Sequence, residues 1–325
     1  MGALTTDIVD LGLFAKRAWL RRQGWGDGVL KGAVRRGEIV RVRKGWYSVP
    51  WAPPSAVEAV RIGGRLTGLS ALRSYGIWTP QTRKLHVAVP VAARGLRRPG
   101  DMRARLNVGD STIRVTWTEE PNPRRGPFVW RTSLIDTLVH ILGNHDRVTA
   151  IVCLDAALHS ADGRKFGITE EDLDVIFAKA PRRTQSWRSE VDGRAEAGGE
   201  TEFRLKCLHA GIPFVPQPVI VGVGRLDGQI GPSTFVEVDG EEWHNDPLAF
   251  EVDRERVLAV IARNGRTLRF SYKLMRHNWE LCERAMRSSL RDDYQLARVT
   301  EFPAFPGRMR PRRTSAEPSE SARRA

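Results

Sequence analysis

Asp227, Glu237 and Asp239 are the residues whose type and spacing best suit chemistry, with His244 a few positions further on. Phe235-Val236-Glu237-Val238-Asp239 alternates as a strand does, and successive side chains of a strand point to opposite faces. Glu237 and Asp239 therefore share one face, and Val236 and Val238 the other. Two carboxylates on one face, with Asp227 as a third, repel one another. A hard cation such as Mg²⁺ removes that cost because it takes oxygen ligands.

The rest of the chain must hold and feed such a site. Its 325 residues are enough for two or three domains, and its net charge is +14. That excess of Lys and Arg favours a polyanionic partner, nucleic acid above all, through release of phosphate counterions; an Arg-rich, solvated surface is the plainer alternative. Cys153, Cys207 and Cys282 are dispersed and form no CxxC, which argues against a disulfide framework or a zinc site and suits a reducing compartment. No run approaches about 18 apolar residues and no signal-peptide core is visible, so a cytoplasmic protein without a membrane span is expected.

Residues 1–50 carry ten Lys/Arg against four Asp/Glu. Ile8, Leu11 and Phe14 followed by Trp19 predict a first helix, Gly24-Trp25-Gly26 a break, and Val29, Leu30 and Val34 a second helix up to Gly37. Ile39 to Val49 alternates around Gly45 as a β-hairpin does. Two short helices and a basic hairpin follow the order of a winged helix-turn-helix. In that reading Lys31, Arg35 and Arg36 lie on or near a recognition helix, while Arg41, Arg43 and Lys44 on the wing meet phosphate. A solvated hairpin serving a protein interface is the alternative.

From 51 to 185 the pattern predicts an α+β region. It has a short helix ended by Gly76, strands at Leu85–Pro90 and Thr112–Trp117, a helix capped by Ser133 and another from Val148 to Leu158. His86, His140, His145 and His159 are scattered along it and receive no role. Residues 186–199 read as a polar, Gly-rich linker. Residues 200–295 give helix, strands, helix, strand, helix, an α/β sandwich of one-domain size. The stretch 305–325, rich in Pro, Arg and Ser, reads as a disordered basic tail.

Two resemblances sharpen these readings. Arg35, Arg36, Gly37, Val40, Val42, Lys44, Gly45 and Tyr47 resemble the N-terminal region of AbiEi-type antitoxins, and the middle region around Trp130-Arg131-Thr132-Ser133-Leu134 is similar to the same chains. The segment from Glu200 to Leu290 resembles the very-short-patch-repair-like endonucleases, a branch of the PD-(D/E)xK fold. The matching residues are Glu200 with Arg204, Gly211, Asp227, Val236-Glu237-Val238-Asp239-Gly240, His244, Asp253-Arg254 and Leu268-Arg269-Phe270. That resemblance implies Asp227 and Glu237 as ligands of Mg²⁺ or Mn²⁺, Asp239 and His244 lining the same pocket, and Glu200 reaching it from its helix. Asp239 stands where most of the fold's nucleases carry lysine; the very-short-patch-repair group uses histidine instead.

The expected activity is metal-dependent hydrolysis of DNA phosphodiesters, in repair or in defence against mobile elements and phage. His244 would move the proton and Arg254 or Lys206 would neutralise the phosphate. An antitoxin-like DNA-binding regulator with an inactive nuclease fold, able to meet a toxin-like protein partner, stays open beside it, as does an RNA-directed nuclease.

Overall fold

The computed structural model describes residues 2–119, 129–159, 166–239 and 247–295, and the chain is divided into two units, 1–191 and 192–325. It is a mixed α/β protein. In the first unit, helix α1 (Ala3–Asp10) stops sooner than its apolar spacing predicts. Gly12 and Leu13 both take positive φ, 86° and 74°. Their N–H groups close on Val9 and Ile8, at 2.8 and 3.0 Å, as in a left-handed C-cap. Phe14 is thereby turned out of the helix and into β1 (Phe14–Lys16).

Helices α2 (Arg17–Arg22) and α3 (Asp27–Arg35) follow, then strands β2 (Val40–Arg43) and β3 (Trp46–Ser48). The three strands form an antiparallel sheet in the order β1-β3-β2, with a register shift between Arg41 and Arg43. Helix α4 (Pro54–Ile62) leads to β4 (Arg65–Leu66), α5 (Gly68–Ser74), β5 (Leu85–Pro90) and β6 (Ile113–Thr118). Strand β5 pairs antiparallel with β4 and parallel with β6. Helices α6 (Leu134–Asn144), α7 (Arg147–His159) and α8 (Glu170–Lys179) pack with α5 around Leu72, Leu138, Ile141 and Cys153, and a 3-10 segment spans Arg182–Glu190. The Ser133 cap is present, its hydroxyl accepting from Asp136 N at 3.1 Å.

The second unit opens with α9 (Gly198–His209) and the short strands β7 (Val215–Pro216), β8 (Val219–Ile220), β9 (Gly224–Arg225) and β10 (Gly228–Gln229). Then come β11 (Thr234–Asp239), α10 (Pro247–Ala262), β12 (Arg266–Ser271), α11 (Tyr272–His277) and α12 (Trp279–Gln295). One sheet runs β12-β11-β10-β7, with β11 and β12 parallel across α10, while β8 and β9 form a separate hairpin. The apolar run Val219 to Val223 predicts one strand, but the strand ends at Ile220, because the chain turns through Gly222 and Gly224 at φ 74° and 103°. The spacing of Met275, Trp279, Cys282, Met286 and Leu290 predicts one helix, but there are two, parted at Asn278.

Strand β11 has the alternation that its sequence predicts. Val236 and Val238 pack with Phe203, Phe270 and Met286, whereas Phe235 packs the other way, with Ile220, Leu226 and Val260 of α10. Glu237 and Asp239 therefore lie on the α10 side. The three cysteines are free and buried. Among the described residues no helix is long and apolar enough to cross a membrane.

Candidate active site

Sheet register explains how residues ten apart in sequence meet. Gly228 pairs antiparallel with Val236, so Asp227, one residue earlier, comes beside Glu237, one residue later. A side chain at Gly228 would run into the Phe214 ring and approach Val236 Cγ2 to 2.9 Å, so only glycine lets β10 lie this close. Asp227 accepts the Val238 N–H at 2.8 Å, and its carboxyl stands close enough to that of Glu237 for the two to perturb one another. Burial first, and then Asp227, pushes Glu237 up to about 8; burial also raises Asp227.

Glu200 joins the pair from the first turn of α9. Its Oε2 accepts from Gln217 Nε2 at 2.6 Å and from the Glu196 N–H at 3.1 Å. Burial and then Asp227 push it up to about 7. Gln217 reaches it from a backbone with φ of 51°, pinned by its own N–H to the Asp227 carbonyl at 3.1 Å. Glu202, two residues along the helix, is structural: Tyr272 Oη and Arg276 donate to it at 3.2 and 2.6 Å.

Arginines meet the carboxylates of β11. Arg256 Nη2, on α10, lies 3.0 Å from Glu237 Oε1 and also donates to the Arg225 carbonyl. Arg269, on β12, holds Asp239 at 2.6 Å on one side and Asp253 on the other. Asp239 is thus at the rim, engaged with Arg269. Arg254, expected to neutralise phosphate, is exposed on α10; Arg256, two residues later, is the guanidinium that reaches Glu237. Lys206 instead lies over the Trp279 ring, 5.1 Å from its centroid. His244 and Trp243 fall outside the described residues, as does the 305–325 tail. Sequence reasoning gave no role to Gln217, Arg256 or Arg269, although Arg269 stood in a quoted motif.

Among the described residues no group of three or more His, Cys, Asp or Glu is arranged to hold a metal. The donor chemistry of Asp227 and Glu237 nevertheless fits Mg²⁺ or Mn²⁺. Both are oxygen donors, both are half-buried, and burial raises the pKa of each, a cost that a cation would offset. Mg²⁺ commonly takes one or two carboxylates and completes its shell with water and phosphate.

In the first unit, Lys31 and Arg35, one turn apart on α3, line a cavity of about 750 Å³ together with Arg41 and Lys44. Arg17 paired to Asp27 closes one side of it. Arg36 faces elsewhere, in a 2.7 Å pair with Glu38, and Arg43 is half-buried rather than displayed on the hairpin. Three of the middle region's four histidines, His86, His140 and His145, are brought together in space. His86 and His145 stack at 5.5 Å, and His86 Nδ1 and His140 Nε2 are buried without a partner. Burial lowers His86 to about 3 and His140 to about 4, so both rings are neutral. No protein-family model matches the chain, and no curated protein is detectably similar to it.

Proposed function

We propose that the chain is a metal-dependent DNA endonuclease, with a winged helix-turn-helix at the N-terminus and a restriction-endonuclease-like α/β sandwich at the C-terminus. The observation that carries the reading is the half-buried trio Asp227, Glu237 and Glu200. Its pKa values are all raised, with burial as the largest cause in each. Stable cores seldom gather acids in this way, and sites awaiting a cation do. Asp227 and Glu237 are the residues to hold Mg²⁺ or Mn²⁺, which when bound supplies an acidified water and positive charge at the phosphate.

The chain's own groups do the rest. The Val238 N–H fixes one oxygen of Asp227 and leaves the other for a ligand. Glu200, near 7, takes a proton from an attacking water and can return it. Arg256, adjacent to Glu237, is placed to transfer its guanidinium to a phosphate oxygen. The N-terminal helix order and antiparallel sheet, with Lys31, Arg35, Arg41 and Lys44 round one cavity, support phosphate contact there.

Nicking of supercoiled plasmid in Mg²⁺ or Mn²⁺ tests the reading. Wild type should nick, and Asp227→Ala and Glu237→Ala should abolish it; no cleavage above either variant rejects it. One observation favours a second reading, an antitoxin-like DNA-binding regulator. Arg256 on Glu237 and Arg269 on Asp239 are pairs that a site without metal would keep permanently. Salt-sensitive DNA binding without nicking would select that reading.

A further inference from the structure

The first unit contains a second cavity, of about 260 Å³, between its antiparallel sheet and β5. Lys16, Arg43, Lys44, Arg65 and Arg94 line it together with Trp46, and among the described residues no Asp or Glu does. Two successive glycines shape it. Gly63, at φ 119°, leaves the space in which the Arg43 guanidinium lodges, and Gly64 brings the turn against the Ala88 carbonyl, where no side chain fits. Lys16 Nζ lies 5.4 Å from the centre of the Trp46 ring.

Four arginines elsewhere in this unit have carboxylate partners: Arg17 with Asp27, Arg36 with Glu38, Arg147 with Glu190, Arg188 with Glu170. Among the described residues no carboxylate pairs with Lys16, Arg43, Lys44 or Arg94. Burial depresses the pKa of Arg43, and Arg97 nearby depresses it further, so the pocket already pays for its positive charge. Cations gathered at that cost in a concave site imply an anion that offsets it.

We propose that this cavity binds the terminal phosphate of a nucleotide, either free or at the 5′ end of a strand. A phosphate monoester carries close to two charges and three outward oxygens, which several converging cations can share. A diester in mid-strand carries one charge and must leave the cavity on both sides, whereas a monoester enters a small concave volume by one end. The exposed part of Trp46 beside the phosphate position offers a surface for the attached base. Lys44 also lines the larger basic cavity, so a strand lying there ends one lysine away. The assignment is independent of the carboxylate site in the second unit.

The test uses the full-length chain with two matched pairs of probes: dAMP against deoxyadenosine, and one short oligonucleotide with a 5′-phosphate against the same with a 5′-hydroxyl. Titration calorimetry serves for the first pair and fluorescence anisotropy for the second. In at least one pair the phosphorylated member should bind about tenfold more tightly, as loss of a charge-assisted contact implies. Preference in the first pair identifies a free nucleotide, and preference only in the second a strand end. Arg94→Gln and Lys16→Gln, both at exposed positions, should cut that preference several-fold, while Arg83→Gln, exposed and outside both basic cavities, leaves it unchanged. Equal binding within both pairs overturns the proposal, and so does a phosphate preference that survives both substitutions.

Discussion

Glu200→Gln should stabilise the second unit at alkaline pH and leave it almost unchanged near pH 5. Both donors aimed at this side chain, Gln217 Nε2 and the Glu196 N–H, converge on a single oxygen. A glutamine carbonyl can accept both, so the substitution orphans no donor and removes only the charge that burial and Asp227 oppose. Those two causes lift Glu200 from 4.5 to about 7. At about 1.4 kcal/mol for each pKa unit, ionising it in the folded protein costs about 3 kcal/mol, and solvent relaxation brings the expected effect to about 1–3 kcal/mol. The folded state keeps this proton to higher pH than the unfolded chain does. Its contribution is therefore complete below about pH 4.5 and disappears as pH rises through about 7. Above about pH 8 wild type carries the whole penalty and the variant none, a gain of roughly 3–10 °C for a unit of this size. Scanning calorimetry is the assay, because it separates the transition of each unit if the two melt independently. A shift of equal size at pH 5 and pH 8.5, or a variant that melts lower at pH 8.5, would refute the reasoning.

The same protons oppose cation binding. Mn²⁺ affinity, followed by electron paramagnetic resonance, should rise up to about tenfold per pH unit between about pH 6 and 8 as Asp227, Glu237 and Glu200 ionise. A flat profile would remove these carboxylates from the ligand set. Asp293, its side chain fully buried, accepts from Ser233 N, Ser233 Oγ and Thr234 Oγ1 at 3.2, 2.7 and 2.7 Å and pairs with Arg266 at 3.3 Å. Asp293→Ala leaves the three Ser233 and Thr234 donors uncompensated, with Arg266 keeping only Asp292, and should cost about 3–5 kcal/mol in urea unfolding of the second unit, without moving the first. Gly64→Ala drives a methyl into the Ala88 carbonyl and within 2.8 Å of Val87 and Val89 Cγ1. It should lower the first unit's stability by about 1–3 kcal/mol, and a melting temperature matching wild type would contradict the close approach of β4 and β5.

Where local chemistry decides, the sequence is legible. The Ser133 cap, the strands at 85 and 113 and the two faces of β11 follow from side-chain size, alternation and capping, and they are found close to their expected places. The end of α1 is not legible, because the spacing of Ile8, Leu11 and Phe14 is helical while the positive φ at Leu13 is imposed by the sheet that takes up Phe14. The carboxylates of the candidate site were legible as types, yet their partners were not. Gln217 depends on a left-handed backbone and on the close approach of β10, which no period in the sequence encodes. Arg254 and Arg256 are both cationic and two apart on one helix, so only the packing of α10 on β11 decides which of them meets Glu237. The clustering of His86, His140 and His145 likewise comes from β5 meeting α6, a tertiary contact with no local signal.

The arginines on β11 make the two functional readings physically distinct. Asp227 and Glu200 take neutral donors, a backbone N–H and an amide, whereas Glu237 takes a guanidinium that also serves the Arg225 carbonyl. Withdrawing Arg256 with nothing in exchange would strand a buried carboxylate and a carbonyl together, at a cost of several kcal/mol. A hydrolase could meet that cost because the exchange would be paired: Glu237, with Asp227, would hold the cation, and Arg256 would turn to the incoming phosphate. Metal and substrate would then bind with positive cooperativity, each removing the penalty that the other faces alone. In a regulator the exchange never occurs and Arg256 is a permanent counterion. It then follows that the raised pKa values of Asp227 and Glu237 describe the site's resting state rather than an interlude between ligands.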